Sequence, residues 1–193
     1  ELALMINGEK WLHNETVCNL TVVPCENYTH QTRYELPIAP SPNLPNIHSI
    51  YLYPSTCLFE GTVVSLGRGT SFPFEAYGHP DYTGSDFSFT PRSVPGAKNP
   101  PLLNEKCYGV DLRNLSDEYI WENGFDLSYV IDAYNNLKIG DKFFTSFFEK
   151  LVGVDYIRQD IKEGKTAQEI KDKWFCDVVK FKQQRKTYLL YEE

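Results

Sequence analysis

The stretch DLSYVIDAYNNLKIGDKFFTSFFEKLVG, Asp126 to Gly153, decides the fold class, because the hydrophobic period changes there. Leu127, Val130, Ile131, Tyr134 and Leu137 recur at i, i+3, i+4, i+7 spacing, the stripe of an amphipathic helix, and Gly140 closes the run. Phe144, Phe147, Phe148 and Leu151 form a second stripe, closed by Gly153. Further on, Ile157 and Ile161 mark a short helix that ends at Gly164. Thr166-Ala-Gln-Glu169 is a capping box, in which Thr and Glu satisfy each other's orphan amides at a helix start. It opens a long helix with Ile170, Trp174, Val178 and Phe181 on one face, and the aromatics of these faces are read as core.

Upstream of Asp126 the pattern is different. Asn19 to Val23 (NLTVV) and Ser49 to Tyr53 (SIYLY) read as strands, each ended by a proline. Between them LPIAPSPNLPN, Leu36 to Asn46, is rich in proline, which has no N–H to give a central strand, so it reads as a stiff surface loop. In PSTCLFEG, Pro54 suits a first helical turn and Gly61 a cap, which predicts one or two turns ending near Glu60. Thr62 to Ser65 and Phe72 to Tyr77 read as strands flanking the Gly67-Arg68-Gly69 turn. Residues 78 to 106 look irregular, and a stretch of that length in a compact domain is usually functional. Cys107 to Leu112 is one more strand. The fold class is therefore α+β, with short strands and Pro/Gly-rich loops in the first two-thirds and a helical last third.

Composition narrows the function. A chain of 193 residues fits one domain, and a net charge of −7 argues against nucleic acid, whose phosphates need a basic surface. The run KFKQQRK, Lys180 to Lys186, reads as the solvated face of the terminal helix. No apolar run reaches the length of a membrane span. The five cysteines include no C-x-x-C and read as buried thiols. His13, His30, His48 and His79 show no metal-ligand spacing, so neither metal nor cofactor is indicated. Leu2, Met5 and Ile6 fall at helical spacing up to Gly8, as if the chain opened inside an element, and it reads as the C-terminal piece of something longer.

One segment carries chemistry. EGTVVSLGRGT, Glu60 to Thr70, holds two X-Gly-Thr triplets, one led by a carboxylate and one by a guanidinium. Glu60 at a helix C-terminus opposes the macrodipole by ~0.3–1 kcal/mol, so it needs a partner or a task. Arg68 is the nearest cation in sequence. The pair reads as a structural clamp on composition alone, as an anion grip with glycines that let ligand approach, or as a phosphate-binding nest. Glu75 is a second carboxylate close by.

PSPNLPN (Pro40 to Asn46), LYPSTCLFEGT (Leu52 to Thr62), SLGRGTSFPFEAYGHP (Ser65 to Pro80) and FKQQRKTYLLY (Phe181 to Tyr191) together resemble the C-terminal part of the NamZ-type exo-β-N-acetylmuramidases, in order and over essentially the whole chain. The Cys-containing, Lys-rich variant is similar to the Bacteroides-type branch. The resemblance implies a bacterial glycosidase that releases N-acetylmuramic acid from non-reducing ends of peptidoglycan fragments, exported to the periplasm or secreted. It implies an N-terminal Rossmann-like domain, missing from this chain, that carries the catalytic glutamate and is this chain's partner. Residues 1–12 would be the connecting helix and 13–193 the cleft-closing domain. No catalytic residue is named here. The matching motif positions, implied to face a muramic acid-containing sugar, are Asn43, Tyr53, Glu60, Arg68, Thr70 and Glu75. Val63 and Asp81 depart from the family pattern, where many relatives have Asn and Trp. The competing class is a non-catalytic glycan-binding or interaction domain, with a phosphate- or nucleotide-binding domain behind it.

Overall fold

A computed structural model describes all 193 residues. The helices are α1 (Leu2–Gly8), α2 (Ile47–Thr56), α3 (Asp117–Asn123), α4 (Ser128–Leu137), α5 (Phe148–Val152), α6 (Ile157–Lys162) and α7 (Ala167–Arg185). The strands are β1 (Ala76–His79), β2 (Ser88–Phe89) and β3 (Cys107–Asp111). The α+β reading holds. The chain divides into two compact units, Leu36–Ile170 and Glu1–Glu35 with Lys171–Glu193, the boundary falling within α7.

In the larger unit the strands form an antiparallel sheet in the order β1-β3-β2, with Gly78 opposite Gly109 and Ser88 opposite Tyr108. The glycine pair is a packing requirement, since a methyl on Gly109 would stand 1.9 Å from the Tyr77 carbonyl oxygen. Phe59 stacks on Tyr77 at 4.7 Å, and Phe143, Phe144 and Phe148 make a second buried aromatic group. Between these groups α4 buries Val130, Ala133 and Leu137. Its stripe is the one the spacing predicts, but Lys138, at φ 52°, rather than Gly140 makes the left-handed stop. The Tyr77 and Tyr82 hydroxyls both donate to Asp132 Oδ2, at 2.7 and 2.6 Å, tying α4 to the sheet. Burial, with the Asp132 carboxylate beside it, pushes the Tyr77 phenol well above its usual range.

Ser49 to Tyr53 is not a strand but the middle of α2. Asn46 caps this helix by accepting from the Ser49 N–H at 2.8 Å, and Ser49 answers from the N3 position, a capping box with Ser in place of Glu. Pro54 lies inside the helix rather than in its first turn. It cannot donate to the Ile50 carbonyl, and α2 soon tightens into the 3-10 turn Cys57–Gly61. Thr62 to Ser65 makes only isolated bridges, to Phe144 and Gly78. Phe74 at φ 64° turns the chain, so the strand expected from Phe72 begins at Ala76. The Cys107 strand and the glycine stops at Gly153 and Gly164, both at positive φ, are as expected. The stripe expected from Phe144 is helical only from Phe148 onward. Residues 78 to 106 hold only the end of β1, the two-residue β2 and a Val94–Ala97 bridge.

In the smaller unit Asn19 to Val23 belongs to no strand. Cys18 just before it is held by Asn7, which donates to its carbonyl at 2.8 Å and accepts from its N–H at 3.0 Å. The Glu1 carboxylate accepts from the Leu190 N–H at 2.8 Å and meets His30 at 2.9 Å. Burial acts to raise its pKa, yet these hydrogen bonds prevail and hold it below the usual range. At the end of the larger unit the Thr166–Glu169 box forms as read, with the Thr166 N–H donating to Glu169 at 2.8 Å. The aromatic face of α7 is not core, however. Ile170 is buried in the larger unit, but Val178 and Phe181 in the smaller are more than 40% exposed. The cysteines also differ from expectation, since Cys18, Cys25 and Cys176 are exposed and only Cys107 is fully buried.

Candidate functional site

The 3-10 turn Cys57–Gly61 delivers Glu60, and the next turn delivers Arg68 from between two glycines at φ 70° and 83°. These glycines serve the backbone: Gly69 lacks the Cβ that would stand 2.4 Å from the Arg92 carbonyl oxygen. Thr70 closes the turn, its hydroxyl donating to the Gly67 carbonyl at 2.6 Å and accepting from the Phe72 N–H at 3.1 Å. The Thr70 amide also donates to Gly67, at 3.0 Å, so one N–H that a phosphate nest would use is already engaged.

Arg68 and Glu60 meet loosely. Arg68 Nη1 donates to Glu60 Oε1 at 3.5 Å, and both side chains are about one-third exposed. Charge-assisted pairs close at ~2.7–2.9 Å, so this contact does not exhaust the guanidinium. Arg68 Nε is buried with no hydrogen-bond partner. The two groups line a pocket of about 230 Å³ together with the buried Phe59, Val64 and Leu66 and with Thr62, Pro101 and Phe147.

None of the other expected positions is among the residues that line this pocket. Tyr53 lies on Phe74 at 5.2 Å, and burial, then Cys57 and Glu60, raises its phenol pKa. Burial and the Glu60 charge also push the Cys57 thiol up to about 11, so Glu60 is felt by both. Asn43 donates to the Gly96 carbonyl at 3.1 Å and pins the proline-rich loop to the 94–97 bridge. Glu75 is buried and accepts from Asn46 Nδ2 at 2.7 Å, which joins α2's cap to the sheet. The structure thus brings Glu60 and Arg68 into one pocket with Tyr53 near Glu60, while Thr70, Asn43 and Glu75 make internal bonds. Asp81 is exposed, and the Val63 N–H donates to the Phe143 carbonyl at 3.0 Å.

Pro101 and Phe147 were not singled out in the sequence as site residues. Phe147 looks like core in its stripe, but it precedes the first residue of α5 and is 46% exposed. Its place is set by Gly61, where a Cβ would meet Phe148 Cα at 2.5 Å; only glycine lets α5 lie this close to the turn carrying Glu60. An open cleft of about 540 Å³ beside α5 is lined by Glu149, Lys150, Asp155 and Tyr156, with Glu149 already paired to Arg158; two others carry less chemistry. That between α2 and α3, about 400 Å³, is lined by Ile50, Tyr51, Pro54, Ile120, Trp121 and Phe125 with no ionisable carboxylate or cation. That at the end of α1 includes Glu1 and Arg185, engaged with His30 and Glu193 respectively. No three His, Cys, Asp or Glu side chains converge in a way that would hold a metal ion, and no helix is long and apolar enough to cross a membrane.

Comparison with known proteins gives a consistent result. The family model described as exo-beta-N-acetylmuramidase NamZ, C-terminal, matches residues 51–191, and its N-terminal counterpart matches residues 1–48. The peptidoglycan beta-N-acetylmuramidase NamZ of Bacillus subtilis is 32% identical over 208 residues, covering 99% of this chain and 49% of that protein. The crystal structure of a DUF1343 family protein from Bacteroides fragilis is 64% identical, with a TM-score of 0.97 over 100% of this chain and 54% of its own. The chain therefore spans about half the length of these relatives.

Proposed function

The chain belongs to the NamZ exo-β-N-acetylmuramidase family, and from that premise we propose that it forms part of a hydrolase that releases N-acetylmuramic acid from non-reducing ends of peptidoglycan fragments. The Glu60–Arg68 pocket is one wall of the sugar site, and an N-terminal catalytic domain supplies the reacting groups on the other side. A pocket of about 230 Å³ suits one end of a sugar rather than a whole disaccharide. Such a substrate implies export to the periplasm or the medium.

N-acetylmuramic acid differs from N-acetylglucosamine by a lactyl ether that ends in a carboxylate. In this reading Arg68 receives that carboxylate. The observation that carries it is the guanidinium's loose engagement, a single 3.5 Å contact with Glu60 from a side chain about one-third exposed. A planar guanidinium offers paired donors that fit a carboxylate. Glu60 keeps it in the pocket, and Glu75, engaged with Asn46, takes no part in holding it.

Arg68→Ala in the full-length enzyme tests this. Loss of a charge-assisted contact of ~1.5–3 kcal/mol lowers kcat/KM on muramic substrates by roughly 10- to 150-fold. Hydrolysis of the matching glucosamine-type substrate stays near wild type. Equal losses on both, or a variant that does not fold, would make the pair a structural clamp.

A further inference from the structure

We propose that Phe147 is the platform on which the ring of the terminal sugar lies, a specificity-determining residue separate from the carboxylate grip. The inference rests on the muramidase reading above. A single exposed Phe needs no explanation in itself. Phe147 differs because it shares its pocket with the loosely held Arg68 guanidinium, and because it is exposed on a fixed base. Its N–H donates to Thr145 Oγ1 at 3.2 Å, and its carbonyl accepts from Lys150 at 3.1 Å and Leu151 at 3.3 Å. The next residue, Phe148, is 0% exposed, and the one before the loop, Thr145, donates to the Gly61 carbonyl at 2.8 Å. Arg158 fastens the same segment by donating to the Thr145 carbonyl and to Glu149.

The chemistry of the ligand divides as the pocket does. A gluco-configured pyranose carries its polar groups around an equatorial edge and presents C–H bonds on its two faces. Such a face packs on an aromatic ring, while the lactyl carboxylate projects from the edge. The pocket's lining includes both kinds of group, the apolar Phe147 and Pro101 and the charged pair Glu60 and Arg68. Phe147 therefore reads ring shape, common to muramic acid and glucosamine, and Arg68 reads the substituent that distinguishes them.

The test uses the full-length protein with muramic and glucosamine-type substrates and compares Phe147→Ala, Phe147→Trp and wild type. Truncation to Ala raises KM roughly 3- to 10-fold on both substrates, the size of a lost aromatic contact, and leaves kcat nearly unchanged. Phe147→Trp restores KM, and its fluorescence changes saturably on titration with free N-acetylmuramic acid. A Phe147→Ala enzyme with wild-type KM overturns the inference and leaves the muramidase reading intact. So does a Trp variant as impaired as the Ala variant with a lowered Tm, which would mark a purely structural ring. A wild-type enzyme inactive on both sugars overturns the muramidase reading and this inference with it.

Discussion

Gly61→Ala connects backbone packing to the pocket most directly. Gly61 is buried at the end of the 3-10 turn, and it is not among the residues at positive φ, so an alanine adds no backbone strain and space alone decides. The new Cβ would stand 2.5 Å from Phe148 Cα, 2.8 Å from its N and 2.9 Å from its Cβ. Carbon atoms rest ~3.5–4.0 Å apart, so α5 must retreat by about 1 Å. None of the three atoms moves with a rotamer. The retreat also pulls on two hydrogen bonds, Thr145 N–H to Gly61 at 2.8 Å and Val63 N–H to Phe143 at 3.0 Å. Overpacking of this kind costs ~1–3 kcal/mol. At ~2–4 °C per kcal/mol for a chain of this size, Tm falls by roughly 2–12 °C. Trimming Phe148 gives no relief, because the clash is with its backbone, and Phe148→Ala adds a further cost of ~3–5 kcal/mol. Calorimetric melts of the single and double variants, with KM measured in parallel, decide the matter. Because α5 carries Phe147 with it, KM rises even where the folded fraction is complete. A Gly61→Ala protein that melts within about 1 °C of wild type with unchanged KM would refute the packing argument.

Other outcomes follow from the same geometry. Gly109→Ala puts a Cβ 1.9 Å from the Tyr77 carbonyl oxygen, closer than any contact at Gly61, so its Tm falls further in the same melts. Hydrogen bonds from Arg113, whose guanidinium lies 4.3 Å over Phe72, hold the Asp111 carboxyl below its usual range against the opposing effect of burial. A folded pKa below the unfolded one gives stability that is complete above the ordinary carboxylate range and lost as pH falls through the folded value. Asp111→Asn therefore flattens the acid limb of a Tm–pH curve, by less than ~1 kcal/mol because Arg113 is partly exposed. Native alkylation at pH 8 followed by mass spectrometry labels Cys18, Cys25 and Cys176, which are exposed. It spares Cys107, whose thiol burial pushes up to about 12, and Cys57, raised to about 11, until the chain is unfolded.

What the sequence disclosed was local, and what it hid was long-range. The Thr166–Glu169 box, the stops at Gly153 and Gly164 and the α4 stripe depend on neighbours within a turn or two, and all are visible as spacing. Ser49 to Tyr53 misled because a short run of Ile, Tyr and Leu fits either a strand or a buried helix. The deciding signal was the Asn46 cap, which is easy to miss when Ser49 stands where Glu usually does. Phe147 and Phe148 are adjacent and equally apolar, yet one is 46% exposed and the other 0%. Only the closeness of α5 to Gly61 separates them, and that contact joins residues far apart in the chain. The face of α7 shows the same limit, since periodicity reveals a stripe but not whether anything covers it. Glu60 and Arg68 were legible as a pair because they are eight residues apart across one turn. The looseness of their contact and the apolar residues that share their pocket were not.

Asn46 carries a liability of a different kind. One side chain does two tasks of opposite polarity: its oxygen caps α2 through Ser49, and its nitrogen donates to buried Glu75 at 2.7 Å. Asparagine hydrolyses slowly to aspartate as proteins age, a change of about one mass unit that leaves the shape intact. Here it would keep the cap and set two carboxylates face to face, one of which must then take up a proton. Chemical wear at this single amide would fall on the joint between α2 and the sheet, upstream of the turn that presents Glu60.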